Sequence, residues 1–107
     1  PAVNIIESKD DYRIEVAAPG LDKADFRINI ENNVLTISAE KEEKHEAKEE
    51  QYMRREFNYS TFSRSFTLPE SMDTEKIMAK HKEGVLAVII PKKEEARTKP
   101  PRSISIS

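Results

Sequence analysis

Apolar residues along this chain recur at every second position, in short runs. Val3 and Ile5 flank Asn4, and Tyr12, Ile14 and Val16 alternate with Arg13, Glu15 and Ala17. The same period carries Phe26, Ile28 and Ile30, then Leu35, Ile37 and Ala39. It returns in Phe62, Phe66 and Leu68, whose row also holds Arg64. A period of two sends alternate side chains to opposite faces, so these runs predict half-buried antiparallel strands. Residues 85–90 are apolar at every position and predict a strand covered on both faces. Pro19-Gly20 and Asn32-Asn33 are turn dipeptides, the second short enough to close a hairpin. Pro69, Gly84 and Pro91 end other strands, and residues 71–76 predict a short helical turn capped by Ser71 or Asp73. Eight or nine strands at this spacing predict an all-β fold, an antiparallel β-sandwich.

Two segments break the alternation. Residues 40–50 hold six Glu and three Lys, with Ala47 the one apolar residue. They offer no face to bury, so they read as a long solvated loop or arm. Directly after it, Tyr52, Met53, Arg54, Arg55, Glu56 and Phe57 regain strand character. A strand at the end of a charged arm is free to pair outside its own subunit. The second segment is the tail. Residues 91–102 carry five basic and two acidic side chains plus Pro100-Pro101, which predicts an extended, mobile linker. It ends in Ile104-Ser105-Ile106, two aliphatics that a strand would aim the same way. Such a pair suits addition to an exposed sheet edge, with both side chains in one groove.

Composition removes most other chemistry. The 107 residues include 18 Lys plus Arg and 20 Asp plus Glu, a formal net charge of -2. That balance gives no general attraction to nucleic acid or anionic membrane, and neither is expected as a partner. No apolar run approaches a membrane span. The chain has no cysteine, hence no disulfide, thiolate nucleophile or cysteine-bound metal, which suits the cytoplasm. Its two glycines, Gly20 and Gly84, are too few for a phosphate-cradling loop, so no nucleotide cofactor is expected. No serine sits in a nucleophile elbow. His45 and His81 have no ligand spacing around them and read as solvated or packed, so no metal and no catalytic residues are expected.

Five motifs, in order, give the chain a family resemblance. They are the opening Pro1-Ala-Val-Asn-Ile-Ile-Glu7; Pro19-Gly20 followed by Asp25-Phe26; Phe62-Ser-Arg-Ser-Phe-Thr-Leu-Pro69; Ala79 with Gly84-Val-Leu86 and Ile90-Pro-Lys92; and Ile104-Ser-Ile106. Together they resemble the α-crystallin domain of the small heat-shock proteins along nearly the whole chain. The resemblance implies an immunoglobulin-like β-sandwich with a long loop carrying a swapped strand. It also implies an ATP-independent holdase, not an enzyme, whose partners are unfolding client proteins and further copies of itself. A co-chaperone adaptor of the related sandwich type is the alternative, but it would lack both the arm and the Ile-x-Ile tail.

The resemblance also implies a division of labour. Residues 1–91 form the sandwich, with 40–58 its charged arm and dimerisation strand, and 92–107 form a flexible extension. The arm's strand pairs with the partner's opening strand, which assigns Val3, Ile5, Tyr52, Met53, Arg54, Arg55, Phe57 and Arg64 to a dimer interface. Ile104 and Ile106 dock in a groove whose candidate residues are Phe26, Ile28, Ile30, Ile77 and Ala79. The chain begins at Pro1, so the apolar arm preceding the domain in full-length members is expected to be absent.

Overall fold

A computed structural model describes residues 1–45, 56–97 and 102–107, without the side chains of 43–45 and 56–59. Within these residues lie seven strands: β1 (Ala2–Glu7), β2 (Asp11–Ala17), β3 (Phe26–Glu31), β4 (Val34–His45), β5 (Glu56–Thr67), β6 (Met78–Lys82) and β7 (Val85–Pro91). They form two antiparallel sheets, one ordered β1-β2-β7-β6 and one ordered β3-β4-β5. The all-β antiparallel fold expected from the alternation is therefore present.

The core lies between the sheets. Ile14 and Val16 of β2 and Leu86, Val88 and Ile90 of β7 meet Phe26, Leu35, Ile37 and Ala39 of β3 and β4. All are under 10% exposed, and Val16, Leu35, Ile37, Val88 and Ile90 are completely buried. Removing this apolar area from water supplies the main driving force for closing the sandwich. Strand β7 differs from expectation, because only Leu86, Val88 and Ile90 are buried while Val85, Ala87 and Ile89 are half-covered. Its outer row is flanked rather than roofed, since Ile89 stands between Arg13 and Met78 in register.

The charged arm also differs. Residues 40–45 continue β4, and 56–61 continue β5, in one unbroken antiparallel ladder from Val34↔Thr67 to His45↔Glu56. Phe57 lies in that same-chain ladder, opposite Lys44. The ribbon projects beyond the sandwich, where no second sheet imposes an apolar face, so the alternation that marks strands elsewhere is lost. This merging brings the strand number below the expected eight or nine. Tyr52, Met53, Arg54 and Arg55 lie outside the described residues.

Backbone conformation explains the turns. Asn32 and Asn33 have φ of 50° and 61°, the left-handed pair that matches a tight hairpin between twisted strands. Glu83 and Gly84, at 52° and 78°, do the same between β6 and β7. The predicted helical turn is a 3-10 turn over Thr74–Lys76, and its cap is Asp73, which accepts from the Glu75 N–H. A second 3-10 turn, Lys23–Asp25, precedes β3 and went unread in the sequence. There the Asp22 N–H donates to the Asp25 carboxylate at 2.7 Å. Lys41 Nζ joins this turn through the Gly20 carbonyl (2.8 Å) and the Asp22 carboxylate (3.2 Å).

Candidate functional site: an edge groove and its neighbours

Among the described residues, strand β3 pairs only with β4, and β6 only with β7, so each ends its sheet. An edge strand leaves a row of backbone N–H and C=O groups without partners and invites another strand. The two edges face one another across a groove of about 340 Å³. Ile28 and Ile30 line one wall, Ile77 and Ala79 the other, and the fully buried Leu35 lies at the floor. Ile30 is 40% exposed, so apolar surface at the groove's rim is open to solvent.

Four of the five expected groove residues thus come together. The fifth, Phe26, belongs to the core at 7% exposure. Its ring meets His81 of β6, with centroids 5.8 Å apart and planes at 45°. Met78, 53% exposed, and Thr74 line the groove too and were not anticipated. Met78 was hidden because its neighbours Ile77 and Ala79 carry the inward row, so alternation assigns it to the other face.

Of the expected dimer residues, the described ones lie on β1 (Val3, Ile5) and β5 (Phe57, Arg64), at the opposite side. Strand β1 ends the four-stranded sheet and β5 the three-stranded one. Val3 and Ile5 stand opposite Val16 and Ile14 in register. Val3 is half-buried against the core, whereas Ile5 remains 60% exposed. On β5, Phe62 and Phe66 are half-buried, and between them Arg64, opposite Ile37, is exposed.

Where β7 ends, Lys92 ties that end of the sheet to the end of β1. Its Nζ donates to Glu7 Oε2 at 2.7 Å and to the Ser8 carbonyl at 2.9 Å, and it lies 5.2 Å from the Tyr12 ring centre. The hydrogen bond from Lys92, with a smaller one from Tyr12, holds the Glu7 carboxyl below its ordinary range. The same bond to Glu7 raises Lys92. The Lys92 and Lys93 N–H groups donate to Asp10 and Ser71 carbonyls, and Arg97 Nε donates to the Lys92 carbonyl. Residues 92–97, including a 3-10 turn over Glu94–Ala96, are therefore fastened to the sandwich rather than free from Pro91 onward. Beyond them, residues 102–107 form no strand, and Ile104 and Ile106 are 77% and 97% exposed.

Among the described residues no three His, Asp or Glu side chains are grouped to hold a metal ion. No helix there is long and apolar enough to cross a membrane.

The family model for "Hsp20/alpha crystallin family" matches residues 4–107, nearly the whole chain. The chain belongs to the Hsp20/alpha crystallin family. Small heat shock protein C2 of Rickettsia felis is 41% identical over 99 residues, covering 92% of this chain and 64% of that protein. Small heat shock protein C4 of the same organism is 38% identical, with 92% and 61% covered. The chain thus spans somewhat under two thirds of these relatives. Among solved structures, heat shock protein 16.0 of Schizosaccharomyces pombe superposes with a TM-score of 0.73 at 30% identity, covering 100% of this chain and 97% of that one. A small heat-shock protein of Xylella fastidiosa gives 0.68 at 31% identity, covering 100% and 95%. The Hsp20 resemblance read from the five motifs is the right one. Two residues of the fourth motif now have a structural reason: Gly84 supplies a left-handed turn, and Lys92 the tie to Glu7.

Proposed function

We propose that this chain is the working domain of an ATP-independent holdase, which covers apolar segments of unfolding proteins in the cytoplasm and prevents their aggregation. No catalysis, cofactor or metal enters this reading. The observation that carries it is the pairing, on one chain, of an apolar groove between two sheet edges with a tail ending in two exposed isoleucines. The tail's Ile104 and Ile106 dock in the groove of another copy, against Ile28, Ile30, Ile77 and Ala79, and clients compete for the same surface. The second surface is the free edge of β1. There Val3 and Ile5 receive the partner's segment 52–57, with Arg64 beside the junction, giving a strand-exchanged dimer.

Family membership and relatives named small heat shock proteins support the holding role. The test is light scattering of a thermally labile enzyme heated with and without this chain, in the absence of ATP. Suppression of scattering at about equimolar ratio is the expected result. Unchanged scattering at about tenfold excess of the folded chain would overturn the reading.

A further inference from the structure

Among the described residues, His81 is the one with a side-chain polar atom sealed from water and unmatched. Its Nε2 is buried and has no hydrogen-bond partner. Buried polar atoms are nearly always paired, so an orphan of this kind asks for a reason. The position is informative. Along β6 and the residue before it the row runs Ile77, Ala79, His81, and on β3 it runs Ile30, Ile28, Phe26. The first two pairs line the groove. The third is the ring contact of His81 with Phe26, which joins the two edge strands just past the groove's end. Strand β6 has few other holds: five residues paired on one side to β7, with Leu86 opposite His81.

The charges around His81 are directed elsewhere. On its own hairpin, Lys80 and Lys82 take the opposite face of β6, and Glu83 is exposed in the turn. On the facing element, Arg27 donates to the Ala24 and Phe26 carbonyls. Asp25, next to Phe26, accepts from the Asp22 N–H and stands 3.9 Å from Lys41. Strand β7 brings no ionisable side chain. On β2, Arg13 and Glu15 pair with each other.

We propose that His81 is a proton-operated clasp on the groove: neutral, it packs on Phe26 and holds β6 to β3; protonated, it releases β6 and opens the groove. A neutral imidazole leaves one lone pair unmatched, a tolerable loss. The imidazolium has two N–H donors, and the one at Nε2, buried as it is, finds no acceptor. A charge in that setting drives the ring toward water, and the strand carrying it follows.

The clasp is tested by amide hydrogen exchange on the whole chain at about pH 7.5 and about pH 5.5, corrected for intrinsic exchange. Wild type is compared with His81→Leu and His81→Gln, two variants so that failure of one to fold leaves the other. Protection of β6 amides relative to β4 should fall about fivefold or more in wild type at the lower pH. It should change by less than about twofold in either variant. Equal protection of wild-type β6 at both pH values would overturn the clasp, as would the same loss in the variants. The consequence for docking rests on the proposed function, so it is read separately, with the peptide Arg-Ser-Ile-Ser-Ile-Ser of residues 102–107. Its affinity should depend on pH in wild type and not in the variants. A peptide that fails to bind at either pH counts against tail docking, while the exchange result decides the clasp.

Discussion

Replacing Ile104 and Ile106 by alanine tests the docking reading at its most quantitative point. Both side chains are nearly bare in the free tail, at 77% and 97% exposure, so almost all of their surface is available for burial. Each Ile→Ala change removes three carbons, and about 0.8 kcal/mol accompanies each buried carbon, giving roughly 2.4 kcal/mol per site. Since about 1.4 kcal/mol is tenfold in affinity, each substitution should weaken docking roughly fiftyfold. The two together should lower affinity about fiftyfold even if burial in the open groove is only half complete. Two assays read this. Fluorescence anisotropy of a labelled tail peptide gives the affinity directly, and multi-angle light scattering of the whole chain reports the loss of mass in any tail-linked assembly. A double variant that binds within about threefold of wild type would show that the isoleucines contribute no docking energy. An assembly of unchanged mass would show that the tail does not hold it together.

Three further outcomes follow from the fold. Ile37 is completely buried at the centre of β4, so Ile37→Ala should destabilise by about 2–5 kcal/mol and lower the thermal midpoint by roughly 10 °C or more, measured by calorimetry. Gly84→Ala places a side chain at φ +78° with only Pro19 Cα, at 3.8 Å, nearby; the cost is backbone strain of about 1–2 kcal/mol, read from urea unfolding. The Lys92–Glu7 tie should be visible as a pH-dependent gap between wild type and Lys92→Met. Glu7, lowered in the fold, stabilises above its unfolded range and loses that effect as pH falls through its folded value; Lys92, raised, stabilises below its unfolded range and loses it as pH rises through its folded value. The difference in thermal midpoint should therefore be widest near neutrality and shrink toward about pH 3 and about pH 11. A gap independent of pH would show that the lysine's stem, not its charge, matters.

Particular residues show how far the sequence could be read. Wherever two sheets face each other, burial forces alternation, and the runs at Tyr12 to Val16, Phe26 to Ile30 and Leu35 to Ala39 announce their strands. Past Ala39 the ladder continues without a covering sheet, so residues 40–45 keep the strand and lose its signature. The groove residues Ile28, Ile30, Ile77 and Ala79 were legible only through the family resemblance; alternation places Ile28 and Ile30 on one face but does not say which strands become sheet edges. Phe26 followed the same alternation yet went to the core, since it sits where β3 enters the sandwich rather than along its open edge. The Lys92–Glu7 bond joins residues 85 positions apart, a distance that no local pattern spans. His81 looked like any packed histidine, and only the unmatched nitrogen distinguishes it.

The order of strands within each sheet also sets a timetable for the newborn chain. The three-stranded sheet joins β3, β4 and β5, neighbours in sequence, and can zip as soon as they emerge. The other sheet cannot. Strand β2 ends at Ala17, yet its inner partner β7 is finished only at Pro91. At about 5–20 residues per second, Ile14 and Val16 wait roughly 4 to 15 s after synthesis for Leu86, Val88 and Ile90 to cover them. During that interval the inner face of β2, with Ile14 and Val16, is an uncovered aliphatic strand that nothing on β7 yet shields.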